Sequence, residues 1–253
     1  MQSIKQKLRN SWRFLRLGQN VLLIIIFVPI IFSPFGHYIP KRKKIAGSLY
    51  RNCYKALNIQ LVVTGHPTSE PALWVCNHIS WLDILVLAGN NCVDFVAKSE
   101  VADWPVIGRV IRRTGTLFID RNNKFKAYKT LPELQQRLES GTSVLIFPEG
   151  TTSSGESCLP FKPMFYQAAI RSNRLIQPVS LCYKHRDGTP CKEVAFIDDD
   201  EFSVSFKHII STPQIVVHIT YLPAMKAEQW HRKEIANLNE QHINLAINQQ
   251  PYR

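Results

Sequence analysis

The order of apolar runs predicts an α/β fold, with a mostly parallel central sheet flanked by helices. Short β-rich runs alternate with helical stretches of ten to twenty residues, the pattern of βαβ crossovers. The run Leu73–Cys76 is apolar without alternation, as a strand covered on both faces should be. The polar residues able to do chemistry come directly after such runs, where open α/β sheets hold their sites. Ahead of this body stands an apolar, membrane-anchoring helical segment. With 253 residues, 45% hydrophobic and 20% charged, the chain has the composition of a packed core and excludes a disordered or collagen-like polymer.

The elements follow in chain order. Arg16 and Lys41 bracket 24 uncharged residues, of which the strongly apolar run Val21–Phe32 is 12 long. That is short of the ~20 residues a bilayer-crossing helix wants, and Pro29 and Pro34 interrupt its backbone hydrogen bonding. Lys5, Lys7, Arg9, Arg13 and Arg16 precede it, and Lys41 to Lys44 follow. Basic residues on both flanks fit a segment that dips into one leaflet and returns, with both flanks against anionic headgroups, better than a single tilted span or a cleaved signal peptide. Up to residue 69 there are 11 Lys/Arg and no Asp or Glu; from Glu70 onward there are 20 against 19. The formal charge of +12 thus sits almost wholly in the head, around an apolar segment. That argues for a bilayer with anionic headgroups as partner and for no nucleic acid.

In the body, strands are predicted over 59–64, 73–76, 93–97, 116–119, 144–147, 176–183, 193–197 and 214–222. Helices are predicted near 81–89, 104–114, 124–140 and 161–172, with a last one over 227–248. The expected organisation is an anchoring region over 1–58, an α/β domain over 59–225 and a C-terminal helix over 226–253. The acidic stretch Asp198–Glu201 lacks the ligand spacing of a calcium loop and reads as a solvated turn. The cysteines at 53, 76, 92, 158, 182 and 191 have neither zinc-finger nor redox spacing, which leaves reduced thiols on a cytosolic side. The sequence contains no dinucleotide fingerprint, no phosphate-binding Walker loop, no zinc-protease helix and no serine-hydrolase elbow.

Four strand ends stand out. In Asn77-His-Ile-Ser-Trp-Leu-Asp83, Ser80 and Asp83 have the spacing of a capping box, which places a helix start at Ser80. A chain turning there lets the Asp83 carboxylate reach back to His78 and fix its tautomer, leaving the other ring nitrogen to take a proton. Equally, Asp83 could only cap the helix and His78 be a turn residue. Gly115-Thr-Leu-Phe-Ile-Asp-Arg121 ends in an acid and a fixed cation, suited either to gripping phosphate or to a surface ion pair. Phe147-Pro-Glu-Gly-Thr151 presents Glu149 at a sheet edge, with Gly150 allowing close backbone approach, though a plain strand-to-loop turn looks similar. Ile176-Gln-Pro-Val179 puts a proline inside an apolar strand, where its missing N–H needs a bulge or a pocket.

Together, in this order, the four blocks resemble the lysophosphatidic acid acyltransferase family of glycerolipid acyltransferases. The segments Lys98-Ser-Glu100 and Trp104-Pro-x-x-Gly108 are similar to that family's link between its first two blocks, and the likeness extends over about residues 50 to 220. The resemblance implies a membrane enzyme, its catalytic domain on the cytosolic side of an inner or cytoplasmic membrane. It would move an acyl group from acyl-CoA or acyl-carrier protein, as co-substrate, to the hydroxyl of a lysophospholipid, without a cofactor or metal. Lysophosphatidate is the expected acceptor and a lyso-ornithine lipid an alternative. It further implies His78 as general base, Asp83 as its orienting partner, and Arg121, Glu149, Gly150 and Thr151 as the acceptor's glycerol-phosphate site. Lys98 is a candidate for the oxyanion or phosphate.

Overall fold

The computed structural model describes residues 4–34, 41–120, 124–197 and 200–249. Two helices come first, α1 (Ile4–Ile31) and α2 (Arg42–Ala56). The sheet strands are β1 (Ile59–Thr64), β2 (Ala72–Cys76), β3 (Asp94–Lys98), β4 (Leu117–Ile119), β5 (Val144–Ile146), β6 (Leu175–Lys184), β7 (Ile215–Tyr221) and β8 (Met225–Lys226). Between them lie α3 (Leu82–Asn90), α4 (Ser99–Ala102), α5 (Ile107–Arg113), α6 (Lys124–Lys129), α7 (Leu131–Glu139), α8 (Tyr166–Arg171) and α9 (Phe202–Ser211); α10 (Arg232–Asn248) closes the chain. The sheet order is β1-β7-β6-β2-β5-β3-β4, with β8 on β6. All pairings are parallel except those of β6 with β7 and β8.

Strand β2 alternates between two cores, which is why its sequence shows no polar face. Trp74 and Cys76 pack with Cys53, Leu82, Val86 and Leu87 from α2 and α3. Leu73 and Val75 pack with Leu134, Leu138, Tyr166, Ile235 and Ile243 from α7, α8 and α10. Burying such aliphatic side chains contributes roughly 1.5–3 kcal/mol each. Pro178 is tolerated in β6 because the partner strand changes there. Ile176 pairs Met225 of β8 and Val179 pairs Tyr221 of β7, so the chain at 222–224 bows out opposite the missing N–H. The Gln177 amide fills that gap, donating to the Leu222 carbonyl (2.6 Å) and accepting from the Thr68 amide (2.8 Å).

Several expected elements differ. The helix expected over 124–140 is two, because Pro132 cannot continue a helix from Lys129, and the one over 104–114 begins only at Ile107, beyond Pro105. Pro163 likewise delays the helix expected from 161 to Tyr166, and the C-terminal helix expected from 227 starts at Arg232. No strand forms over 193–197; a single 3-10 turn (Lys192–Val194) leads instead into extended chain whose Phe196 amide bonds the Ile79 carbonyl (3.0 Å). Residues Asp198 and Asp199 of the acidic stretch lie outside the described residues, while Glu201 occupies the N-cap position of α9 without a side-chain cap bond.

The N-terminal helix is longer than its apolar run, reaching back through the basic segment to Ile4, and is long and apolar enough by composition to cross a bilayer. It is nevertheless docked along its length. Arg13, expected at lipid headgroups, is buried; its guanidinium caps α9 by donating to the carbonyls of Ile210 (3.0 Å), Thr212 (2.5 Å) and Pro213. Arg9 adds a bond to the Ser211 carbonyl (2.8 Å). Farther along, Leu17 enters the main core and Val28 packs with Ala46 of α2 and Val110 of α5. Lys43, also expected at the headgroups, pairs with Asp94 (2.7 Å) and so ties α2 to β3. The opposite side of α1 exposes Leu8, Trp12, Leu15, Leu22, Ile26 and Ile30, a stripe at helical spacing.

Candidate active site

The C-terminal ends of β2, β5, β3 and β4 lie side by side; β2, β5 and β4 each lead into one predicted block, and β3 ends at Lys98. By register, Asn77 after β2, Pro148 after β5, Lys98 of β3 and Ile119 of β4 are level. The Asn77 side chain extends β2 by one more pairing, donating to the Leu181 carbonyl (2.9 Å) and accepting its amide (2.8 Å). The chain then turns, and α3 starts at Leu82.

That turn brings His78 and Asp83 together, with Nδ1 2.7 Å from Oδ2. The same oxygen accepts the amides of Ile79 (2.7 Å) and Ser80 (3.0 Å), and Oδ1 accepts the Tyr183 hydroxyl (2.6 Å). Asp83 is wholly buried, so these four donors replace the water it lost. The expected capping by Ser80 does not form: Asp83 takes the amides that a cap would serve, and the Ser80 hydroxyl, buried, has no hydrogen-bond partner among the described residues. The imidazole stacks on Phe147 (centroids 3.9 Å apart, planes 14° apart), which fixes its plane. With Nδ1 committed, Nε2 is the nitrogen left for a substrate proton.

Glu149 lies inside rather than at the surface, only 2% exposed. Its two oxygens accept the amides of His78 (2.7 Å) and Leu159 (2.8 Å), so it straps the His78 turn to a second loop. Burial pushes its carboxyl up, and the Leu159 and His78 amides pull it back. Gly150 follows at φ 77°, a conformation that favours glycine. Thr151 is exposed, and its neighbour Thr152 donates to the Phe196 carbonyl. Lys98 is exposed at the end of β3; two strand spacings separate β3 from β2, roughly 10 Å. Arg121 lies outside the described residues.

Tyr183 and Phe147, both touching the dyad, carry no signal of role in the sequence. The period of two along β6 puts Val179, Leu181 and Tyr183 on one face with Cys76, yet only the fold shows that the phenol meets Asp83. Burial, reinforced by the Asp83 charge, holds the Tyr183 phenol far above its usual range, so it stays a donor. Tyr183→Phe keeps the packing and removes one charge-assisted hydrogen bond. Turnover should fall about tenfold with a folded protein; a steady-state assay beside a thermal melt checks this.

The thiols offer no nucleophile here. Burial raises Cys53 and Cys191 to about 12 and Cys182 to about 11. Cys92, exposed, precedes β3 and so sits at the opposite end of the sheet. Among the described residues, His185, Cys191 and Glu193 bring possible metal-ligand atoms within 4.8 Å of one another, with neither His78 nor Asp83 among them.

A buried carboxylate orienting an imidazole at the end of a parallel sheet is an arrangement able to take up a proton. The family model described as Acyltransferase matches residues 52–182, from α2 through β6. The chain is 32% identical over 214 residues to a lyso-ornithine lipid O-acyltransferase of Pseudomonas aeruginosa, covering 85% of this chain and 82% of that one. It is 33% identical over 254 residues to the lyso-ornithine lipid O-acyltransferase of Brucella abortus (95% and 85%). To the 1-acyl-sn-glycerol-3-phosphate acyltransferase of Neisseria meningitidis it is 30% identical over 210 residues (81% and 82%). The chain belongs to the acyltransferase family. The crystal structure of the 1-acyl-sn-glycerophosphate acyltransferase PlsC from Thermotoga maritima shares its fold, with a TM-score of 0.69 at 21% identity over 96% of both chains.

Proposed function

We propose that the protein transfers a fatty acyl group from acyl-CoA or acyl-carrier protein to the free hydroxyl of a lyso-lipid at a membrane surface. The observation that carries this is the His78–Asp83 pair at 2.7 Å with Nε2 uncommitted. Nε2 takes the hydroxyl proton as the oxygen attacks the thioester carbon; the C–O bond forms, the C–S bond breaks, and the imidazolium returns its proton to the leaving thiolate. No enzyme-bound acyl group is needed, in keeping with buried thiols of raised pKa. The tetrahedral intermediate needs donors for its oxyanion. Lys98, about 10 Å across the sheet, suits a substrate's phosphate better than the oxyanion. Arg121 is assigned to the same phosphate by the resemblance of its block alone, and the exposed Thr151 offers a hydroxyl.

The first reading of the acceptor is 1-acyl-glycerol 3-phosphate, giving phosphatidate, which the chain's length and its apolar basic head favour. A lyso-ornithine lipid is a second reading, favoured by relatives of that name at 32% and 33% identity. For the membrane, docking of α1 against α2, α5 and α9 supports a helix lying in the interface, its exposed stripe in the acyl region; the cytosolic face is assigned by the family resemblance alone. A crossing would drag three packed helices into hydrocarbon. The test is acyl transfer by membranes carrying the protein, with lysophosphatidate, lyso-ornithine lipid and lysophosphatidylcholine offered against acyl-CoA and acyl-carrier protein. Transfer to one acidic acceptor is expected; transfer to none with either donor would refute the proposal.

A further inference from the structure

The turn that carries Glu149 and Gly150 is overlain by a cation that belongs to none of the four motif blocks. Lys162 lies in Leu159-Pro-Phe-Lys-Pro163, where two prolines restrict the chain. Its backbone is held from several sides. Cys158 donates to Asn244 Oδ1 (2.7 Å) and Phe161 to Glu240 Oε2 (2.8 Å), both on α10. Leu159 donates to Glu149 Oε2 (2.8 Å), and Lys162 itself donates to the Pro148 carbonyl (2.9 Å). From this fixed base the side chain folds back across Gly150. A Cβ at position 150 would collide with Nζ and lie 3.1 Å from Cδ and Cε, so the glycine also clears room for the ammonium. Lys43, Arg112, Arg137 and Lys192 each have an acidic partner; among the described residues Lys162 has none.

Glu149 cannot hold an acidic headgroup, since both of its oxygens are taken by amides and its charge is of the wrong sign. We propose that Lys162 binds the anionic group of the acceptor's headgroup: the phosphate of lysophosphatidate or the carboxylate of an ornithine headgroup. This rests on the acyl-transfer reading. Glu149, one residue from the glycine under the ammonium, holds the His78 amide, so the bound anion and the general base are referred to the same strap. An ammonium with three donors accepts either oxyanion.

The test compares wild type, Lys162→Met and Lys162→Arg, measuring KM for lysophosphatidate, for lyso-ornithine lipid and for acyl-CoA. Lys162→Met should raise KM for the acceptor that wild type uses by about 10- to 100-fold, the range for losing a charge-assisted hydrogen bond. KM for acyl-CoA should move by less than about threefold, and Lys162→Arg should recover most of the loss. Lys162 is exposed, so the variants should melt like wild type. A rise confined to acyl-CoA would give the lysine to the donor's phosphates, and no change in either KM would leave it a bystander; each overturns the inference. Wild type that transfers to no acceptor would instead bring down the acyl-transfer reading, before any variant is compared.

Discussion

His78→Ala should lower kcat for acyl transfer by about 10²–10⁴-fold while the protein folds and binds membranes as before. The imidazole lies at the edge of the core, its Nδ1 bonded to Asp83 and its face on Phe147, its polar and ring contacts among the described residues. Initial rates with saturating acyl-CoA, beside circular dichroism and flotation with vesicles, read both halves of this expectation. Near-normal turnover from purified His78→Ala would remove the general-base assignment. Asp83→Asn should be as damaging to catalysis but also costly to folding. An amide nitrogen in the Oδ2 position would confront the Ile79 and Ser80 amides, and in the Oδ1 position it would leave the buried Tyr183 hydroxyl proton without its acceptor; an unsatisfied buried donor costs about 1–3 kcal/mol. A lowered melting temperature should therefore separate Asp83→Asn from His78→Ala.

Glu149→Gln should lower kcat/KM by about 10²-fold or more although the residue need not touch substrate. One amide N–H of the new side chain must face the amide of His78 or of Leu159, so one side of the strap opens. Displacing a reacting group by about 1 Å can cost that factor. Glu149→Asp should do no better, being one methylene too short to span both partners. Wild-type activity in either variant, measured with the acceptor that wild type uses, would refute the strap. The second loop also carries Lys162, so KM for the acceptor should rise along with the fall in kcat.

Strand β2 was legible because burial on both faces leaves an unbroken apolar run, whereas β1 and β7, at and beside a sheet edge, are partly exposed and show instead a richness in β-branched residues; all three begin and end within a residue or so of the runs that predict them. Helices read less well. The pattern over 124–140 is continuous, but one proline at 132 divides it. Helix α9 is weakly signalled: Phe202, Phe206 and Ile209 have helical spacing, but the helix is short and follows an acidic stretch with the composition of a turn. For the site, the spacing from His78 to Asp83 is local, and a turn brings them together. The roles of Tyr183, Leu159 and Lys162 depend on partners 100, 10 and 14 residues away, as in the bonds of Tyr183 to Asp83, Leu159 to Glu149 and Lys162 to Pro148. No local pattern encodes such meetings. Arg13 shows the opposite failure: its charge was plain, yet helix-end carbonyls rather than lipid proved to be its counterpart.

The docking of α1 bears on how the enzyme can be handled. Trimming away the leader to obtain a freely soluble catalytic fragment would remove the guanidinium that closes one end of α9, and it would strip Leu17 from beneath the sheet and Val28 from between α2 and α5. Helix α9 in turn braces the turn after β2, through Trp81 against Phe202 and the Trp81 indole on Ser205. The intact polypeptide, and not an amputated one, keeps that brace in place.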